Sequence, residues 1–183
     1  MGRGLVEALK KEFPIHVEWV SFELHPETPS TGTLLSQRFP GMNLKAFWER
    51  LRSTYGHLGV DFGDVSRLSN SRMALEASEY ARDFGRFDSF HHRVFRAYFM
   101  ETRDIGNLDV LLDLAQEEGL DSADLRGALQ ERRYASRLDE AHREGRQLGI
   151  DAVPTFIING KYRIVGAQSL DFFRDRFREI NGE

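Results

Sequence analysis

Cysteine is absent from the 183 residues. That excludes a disulfide framework, a thiolate nucleophile and a zinc–thiolate site. Proline is scarce, with five residues, and Pro14 and Pro154 stand where a helix should end and a strand should begin. No run approaches the roughly 18 apolar residues of a membrane span. Met1–Lys11 lacks the apolar centre of a secretory leader, so the reading is a protein with no membrane segment and a cytoplasmic location. A concentrated basic face is missing too: net charge is −4 and the pI about 5.9. Arg132 and Arg133 adjoin Glu131, and Arg143 adjoins Glu144, as on solvated helix faces, so no nucleic-acid partner is expected. No His-x-x-x-His or Glu-x-x-His pattern occurs. His91 and His92 diverge by about 100° on a helix, so no metal is expected.

What is present reads as a globular domain, 40% hydrophobic and 30% charged. Leu5, Leu9 and Phe13 recur at helical spacing, predicting a helix over Gly4–Phe13. Ile15–Phe22 alternates polar and apolar residues and is rich in β-branched and aromatic types, predicting a strand. From Asn43 to Gly149 the pattern is helical. Asn70 or Ser69 can cap a helix burying Met73, Ala74, Ala77, Tyr80, Ala81 and Phe84, Phe87–Phe99 form an aromatic stripe, and Gly119 and Gly149 stand at helix ends. Thr155–Ile158 and Tyr162–Val165 read as a hairpin turned by Asn159-Gly160, and Gln168–Ile180 reads as a closing helix. This order suits an α/β sheet interrupted by a helical insertion of about a hundred residues. The division is residues 1–42 and 150–183 for the sheet domain and 43–149 for the insertion.

The sharpest segment is Gly149–Gly160. A proline opening a strand after a glycine-closed helix is compatible with a cis bond, because the cis form is cheap only before proline, and equally with an ordinary trans proline at a strand start. A cis bond would leave the main chain of Val153 free to pair with an extended peptide.

Val153-Pro154-Thr155-Phe156 followed by a hairpin and helix resembles the cis-proline loop of the thioredoxin superfamily, most closely its DsbA-like branch, with Asn43–Gly149 as the inserted helical domain. Ser69-Asn70-Ser71-Arg72-Met73-Ala74 with Ala77 and Ala81, and Phe22-Glu23-Leu24-His25-Pro26, look like segments of FrnE-type members. The resemblance implies a thioredoxin-like fold, a cis Val153–Pro154 bond, and Val153, Pro154 and Thr155 as substrate-binding residues. It also implies oxidoreductase chemistry by disulfide exchange on a peptide or protein thiol/disulfide substrate, with no cofactor. Glutathione and a homodimer enter as further partners.

The family's Cys-x-x-Cys has no counterpart here. Met1 falls just past the place where the second cysteine would stand, so the family's first strand and motif are read as missing, through a start assigned late in a longer gene or through a shortened paralogue. No residue is assigned a catalytic role, because Ser21, Ser69 and Ser71 lie away from the first helix and show no activating base. Three functions stay open: a disulfide oxidoreductase family protein that is catalytically incomplete, a glutathione-dependent relative of the kappa-class transferase or hydroxychromene-carboxylate isomerase type, and a non-catalytic peptide-binding module.

Overall fold

The computed structural model describes residues 2–59 and 61–182. The chain opens with helix α1 (Gly2–Leu9), whose Leu5, Val6 and Leu9 are buried. The turn that follows keeps helical main-chain bonds, Lys10 N–H to the Val6 carbonyl at 2.9 Å and Phe13 N–H to Leu9 at 2.8 Å, and ends at Pro14.

Residues 15–23 then run extended, with Ile15, Val17, Trp19, Ser21 and Glu23 turned inward and His16, Glu18 and Val20 outward. This is the period-2 pattern of a strand. Yet among the described residues no main-chain hydrogen bond joins residues 16–24 to another segment. The predicted strand Ile15–Phe22 therefore has strand geometry without a ladder, because no strand lies beside it among the described residues.

A two-residue ladder follows instead. β1 (Thr33–Leu34) pairs antiparallel with β2 (Arg67–Leu68). The helices between and after them are α2 (Leu35–Arg38), α3 (Leu44–Tyr55), α4 (Arg72–Asp83), α5 (Phe87–Phe99), α6 (Leu108–Glu117), α7 (Ser122–Gln130) and α8 (Ala135–Gln147). Side chains cap several of them. Asn43 Oδ1 accepts from Ala46 N–H, Asn107 Oδ1 from Asp109, and Asp121 Oδ1 from Ala123 and Asp124, each satisfying otherwise orphaned donors. Asn70 caps the first turn of α4 by accepting from Arg72 N–H at 2.9 Å and also ties back to the Thr28 carbonyl at 2.6 Å.

The hairpin β3 (Thr155–Ile158) and β4 (Tyr162–Val165) pairs Phe156 with Ile164. Asn159 and Gly160 both have positive φ, 51° and 66°, as a type I′ turn requires. Helix α9 (Leu170–Asn181) closes the chain, with Ser169 Oγ accepting from Phe172 N–H. No strand flanks the free edge of β3 among the described residues.

Three cores form. One lies among α4–α7 and Tyr134. A second joins α1, the hairpin and α9 through Leu5, Leu9, Ile164 and Phe173, with Ile15 and Phe156 packed against it. A third sits around Leu35, Trp48, Phe62 and Val65. Two residues placed by periodicity on buried rows, Phe84 and Phe95, are exposed. Phe84 falls at the end of α4, just before Gly85 turns the chain. The α/β thioredoxin-like architecture with a large helical insertion is as expected, with neither the family's first strand nor a Cys-x-x-Cys in this chain.

Candidate functional site

Helix α8 is closed two residues past its end by Gly149, whose φ of +67° and bond to the Arg146 carbonyl reverse the chain. Arg163 on β4 holds the helix end by donating to the Leu148 and Gly149 carbonyls at 2.8 and 3.0 Å. The following bend carries Val153, Pro154 and Thr155, and the Val153–Pro154 peptide bond is cis. Thr155 Oγ1 donates to the Ala152 carbonyl at 2.7 Å, and Gly166 N–H to the Pro154 carbonyl at 2.8 Å, so the bend is braced from both sides. Pro154 sits against the first turn of α1, where a Cβ on Gly2 would meet Pro154 Cβ at 3.0 Å. Val153 is exposed. The loop thus lies at the open edge of β3, close to where α1 begins.

A second arrangement, not foreseen from the sequence, holds the extended segment. Ser21 Oγ donates to Glu79 Oε1 at 2.6 Å, and Arg82 grips Glu79 at 2.9 Å while donating to the Trp19 carbonyl at 2.8 Å. Two turns before Glu79 on α4, Arg72 donates to Glu23 at 3.2 Å, Glu76 at 3.1 Å and Asp139 at 2.7 Å. Arg132 reaches Glu76 as well. Burial pulls the Arg72 guanidinium down, but its bonds to Asp139, Glu23 and Glu76 outweigh this and hold it above its ordinary value. The same pairing keeps the Asp139 carboxyl below the usual range. Glu76 Oε2 is buried with no partner among the described residues. Pairs separated by 49 to 67 residues in the chain leave no local signature, which is why sequence reasoning missed them.

The expectation that Ser21 lacks a base is corrected by this contact. The Ser21–Glu79 pair is nevertheless structural, because Glu79 is already committed to Arg82 and Ser21 is 4% exposed. His91 is packed against Phe87, Phe95 and Trp19, and burial, aided by Arg3, drives its pKa down to about 4, so the ring is neutral at pH 7. No grouping of three metal-binding side chains exists among the described residues.

Beside the extended segment lies a groove of about 260 Å³ between Glu18–Ser21, α4 and α8. Its two arginines are spent. Arg82 pairs with Glu79, and Arg137 makes a bidentate contact with Asp83 at 2.7 and 3.1 Å. Glu18, Glu140 and Glu144 line the groove with no ion-pair partner among the described residues.

With no cysteine in the chain, the labels of oxidoreductase and disulfide exchange are corrected. Thiol–disulfide exchange proceeds by attack of a thiolate, and none exists here. A peptide or protein thiol/disulfide substrate falls with them. Nothing among the described residues supports a glutathione partner either.

The family model of the DSBA-like thioredoxin domain matches residues 3–178. The Bacillus subtilis protein YwbO, itself uncharacterised, is 34% identical over 177 residues, covering 94% of this chain and 86% of that one. In fold, the chain is similar to the crystal structure of a probable DsbA oxidoreductase from Streptomyces coelicolor. The TM-score is 0.90 at 24% identity, over 100% of this chain and 84% of that one. A candidate protein disulfide isomerase from Nitrosomonas europaea gives a TM-score of 0.70 at 15% identity, over 96% and 87%. These likenesses overturn the cytoplasmic reading, since DsbA-family oxidoreductases are typically periplasmic or secreted. That reading leaned on Met1–Lys11, most of which belongs to α1 and the turn after it and is part of the fold. No helix among the described residues is long and apolar enough to cross a membrane.

Proposed function

The chain belongs to the DsbA-like thioredoxin domain family, and from that membership we propose that these residues act as a non-catalytic module that binds an extended peptide at the proline loop. The observation that carries this reading is a pair of open strand edges. β3 is paired with β4 only, and residues 16–24 make no main-chain bond to any described segment. Unpaired main-chain donors and acceptors are costly when buried and are the template for β-addition when accessible. Val153, Pro154 and Thr155 are the proposed binding residues: Val153 presents its free main chain, Pro154 shapes the bend against α1, and Thr155 is locked by its bond to Ala152. Binding through main-chain hydrogen bonds needs no thiol, so it is compatible with the composition.

The FrnE-type assignment is part of the proposal. It is supported by the Phe22–Pro26 exit from the extended segment and by Ser69–Ala74 followed by Ala77 and Ala81 along α4. The half-buried Glu23–Arg72 bond links those two stretches directly.

The test is an amide titration by NMR with a cysteine-free peptide of alternating threonine and valine, beside the same peptide N-methylated at alternate residues. The parent peptide is expected to shift the amides of Val153, Thr155 and Ile157, and the N-methylated one to leave them in place. Equal shifts with both peptides, or none with either at millimolar concentration, would refute main-chain recognition.

A further inference from the structure

The groove beside Glu18–Ser21 says what kind of side chain such a peptide carries, and we infer that it receives a lysine or arginine of an extended peptide lying along the segment. The inference rests on the peptide-binding reading above and specifies its partner. Three observations carry it. The first is the free main chain: the N–H and C=O groups of Glu18 and Val20 have no described partner, whereas the Trp19 carbonyl is occupied by Arg82. A chain running beside the segment therefore finds hydrogen-bonding groups at Glu18 and Val20 and is kept off Trp19.

The second observation is charge. Of the ionised groups lining the groove, Glu79, Arg82 and Arg137 are neutralised by partners within the fold. That leaves Glu18, Glu140 and Glu144, three carboxylates on two elements with no ion-pair partner among the described residues. Glu140 and Glu144 are one helical turn apart on α8, so they share a face. Like charges held this close repel, and a cation between them relieves the repulsion.

The third observation is shape and polarity. Val20 is 65% exposed, the most exposed of the large hydrophobic side chains among the described residues, and it lines this groove beside Trp19. An apolar surface leading to carboxylates matches a side chain with an aliphatic stem and a charged head, as lysine and arginine have. An acidic peptide would meet uncompensated like charge. A free organic cation would satisfy the carboxylates and leave the main-chain groups of Glu18 and Val20 unused.

The experiment uses the full chain and the threonine–valine peptide with two central lysines, beside versions carrying glutamate or glutamine there and beside free 1,5-diaminopentane. Affinity is read by fluorescence of Trp19 in a Trp48→Phe background, and binding position by amide shifts. The lysine peptide is expected to bind at least about tenfold more tightly than the glutamate peptide at low salt, with the preference shrinking as salt screens the carboxylates. The double variant Glu140→Gln, Glu144→Gln alters only exposed side chains and is expected to abolish most of that preference. Equal affinity for the lysine and glutamate peptides, with the shifts at Val153–Ile157 retained, would overturn this inference and leave the peptide-binding reading standing. Loss of all shifts with every peptide would remove both. Diaminopentane binding as tightly as the lysine peptide would overturn a peptide as the occupant.

Discussion

His91 shows how burial sets the behaviour of a single side chain. The ring stacks on Phe87 at 5.1 Å and leans on Phe95 at 4.6 Å; burial is the main cause of its low pKa, with Arg3 and Arg82 disfavouring a further positive charge and Asp88 and Glu79 opposing them. Its pKa of about 4 lies below the ordinary value of 6.5, so the unfolded chain binds the proton more readily than the fold does. The stability this contributes is complete above about pH 6.5 and is lost as pH falls toward 4. Between pH 6.5 and 4.5 the loss should be roughly 2–3 kcal/mol. Urea unfolding across that window is expected to show this slope, and His91→Phe, which keeps an aromatic ring among its aromatic neighbours, is expected to flatten it. An unchanged slope in the variant would mean that other groups carry the pH dependence. Several carboxyls are held low by arginines, among them Glu12 by Arg174 and Glu117 by Arg93. Their contribution falls away at lower pH, which is why the comparison stops at 4.5.

Elements were legible from the sequence wherever a local rule decides them. The Asn159-Gly160 turn, the cap at Asn70, and the glycine-closed ends at Gly119 and Gly149 all follow from backbone chemistry within a few residues. The alternation in Ile15–Phe22 was legible as well, but pairing is a property of two strands and the segment has no neighbour. The Thr33–Leu68 ladder joins residues 35 positions apart over only two pairs and left no pattern to read. At the candidate site, Val153–Thr155 stood out through Pro154, whereas the Ser21–Glu79–Arg82 and Glu23–Arg72–Glu76 contacts depend on where the helices dock. Gly145 illustrates that docking. In the interior of α8 a glycine costs helix stability relative to alanine, yet a Cβ at Gly145 would stand 2.5 Å from Phe22 Cε2. Phe22 also stacks on His142 of the same helix at 5.3 Å, so its ring is held from two positions. Gly145→Ala should therefore reverse the usual gain and destabilise by about 1–3 kcal/mol through overpacking. A lower urea midpoint is expected, with recovery in the double variant Gly145→Ala, Phe22→Leu. A raised midpoint in the single variant would show that the segment yields without cost.

For the whole molecule, the proposed division sets residues 1–42 and 150–183 apart from 43–149. The cores divide along it unevenly. Leu111, Leu114, Phe90 and Tyr80 are enclosed within the helical part, and Leu5, Leu9, Ile164 and Phe173 within the sheet part. Leu35, from the sheet part of the chain, packs with Trp48 and Phe62 of the other. Aromatic contacts also cross between the parts, Phe22 on His142 and Trp19 on His91, beside polar bridges: Glu23 with Arg72, Ser21 with Glu79, Tyr55 Oη with the Ala167 carbonyl at 3.3 Å. The polar bridges fix orientation but bury little apolar surface. A two-stranded hairpin is at best marginal alone, so the sheet part depends on α1 and α9 and should be the weaker of the two. A cavity cut deep in the helical core tests whether the parts unfold together. Leu111→Ala removes a fully buried side chain and should cost about 2–5 kcal/mol. Native-state hydrogen exchange is expected to show that loss in the amides of α4–α7, while those of β3 and β4 keep their original, lower protection. If the hairpin amides lose protection by the same amount, the chain unfolds as one unit and the division fails. If they do not, the extended segment is held by a helical layer that stays folded while the hairpin opens. The Glu18–Ser21 groove would then keep two of its walls, α4 and α8, without the proline loop.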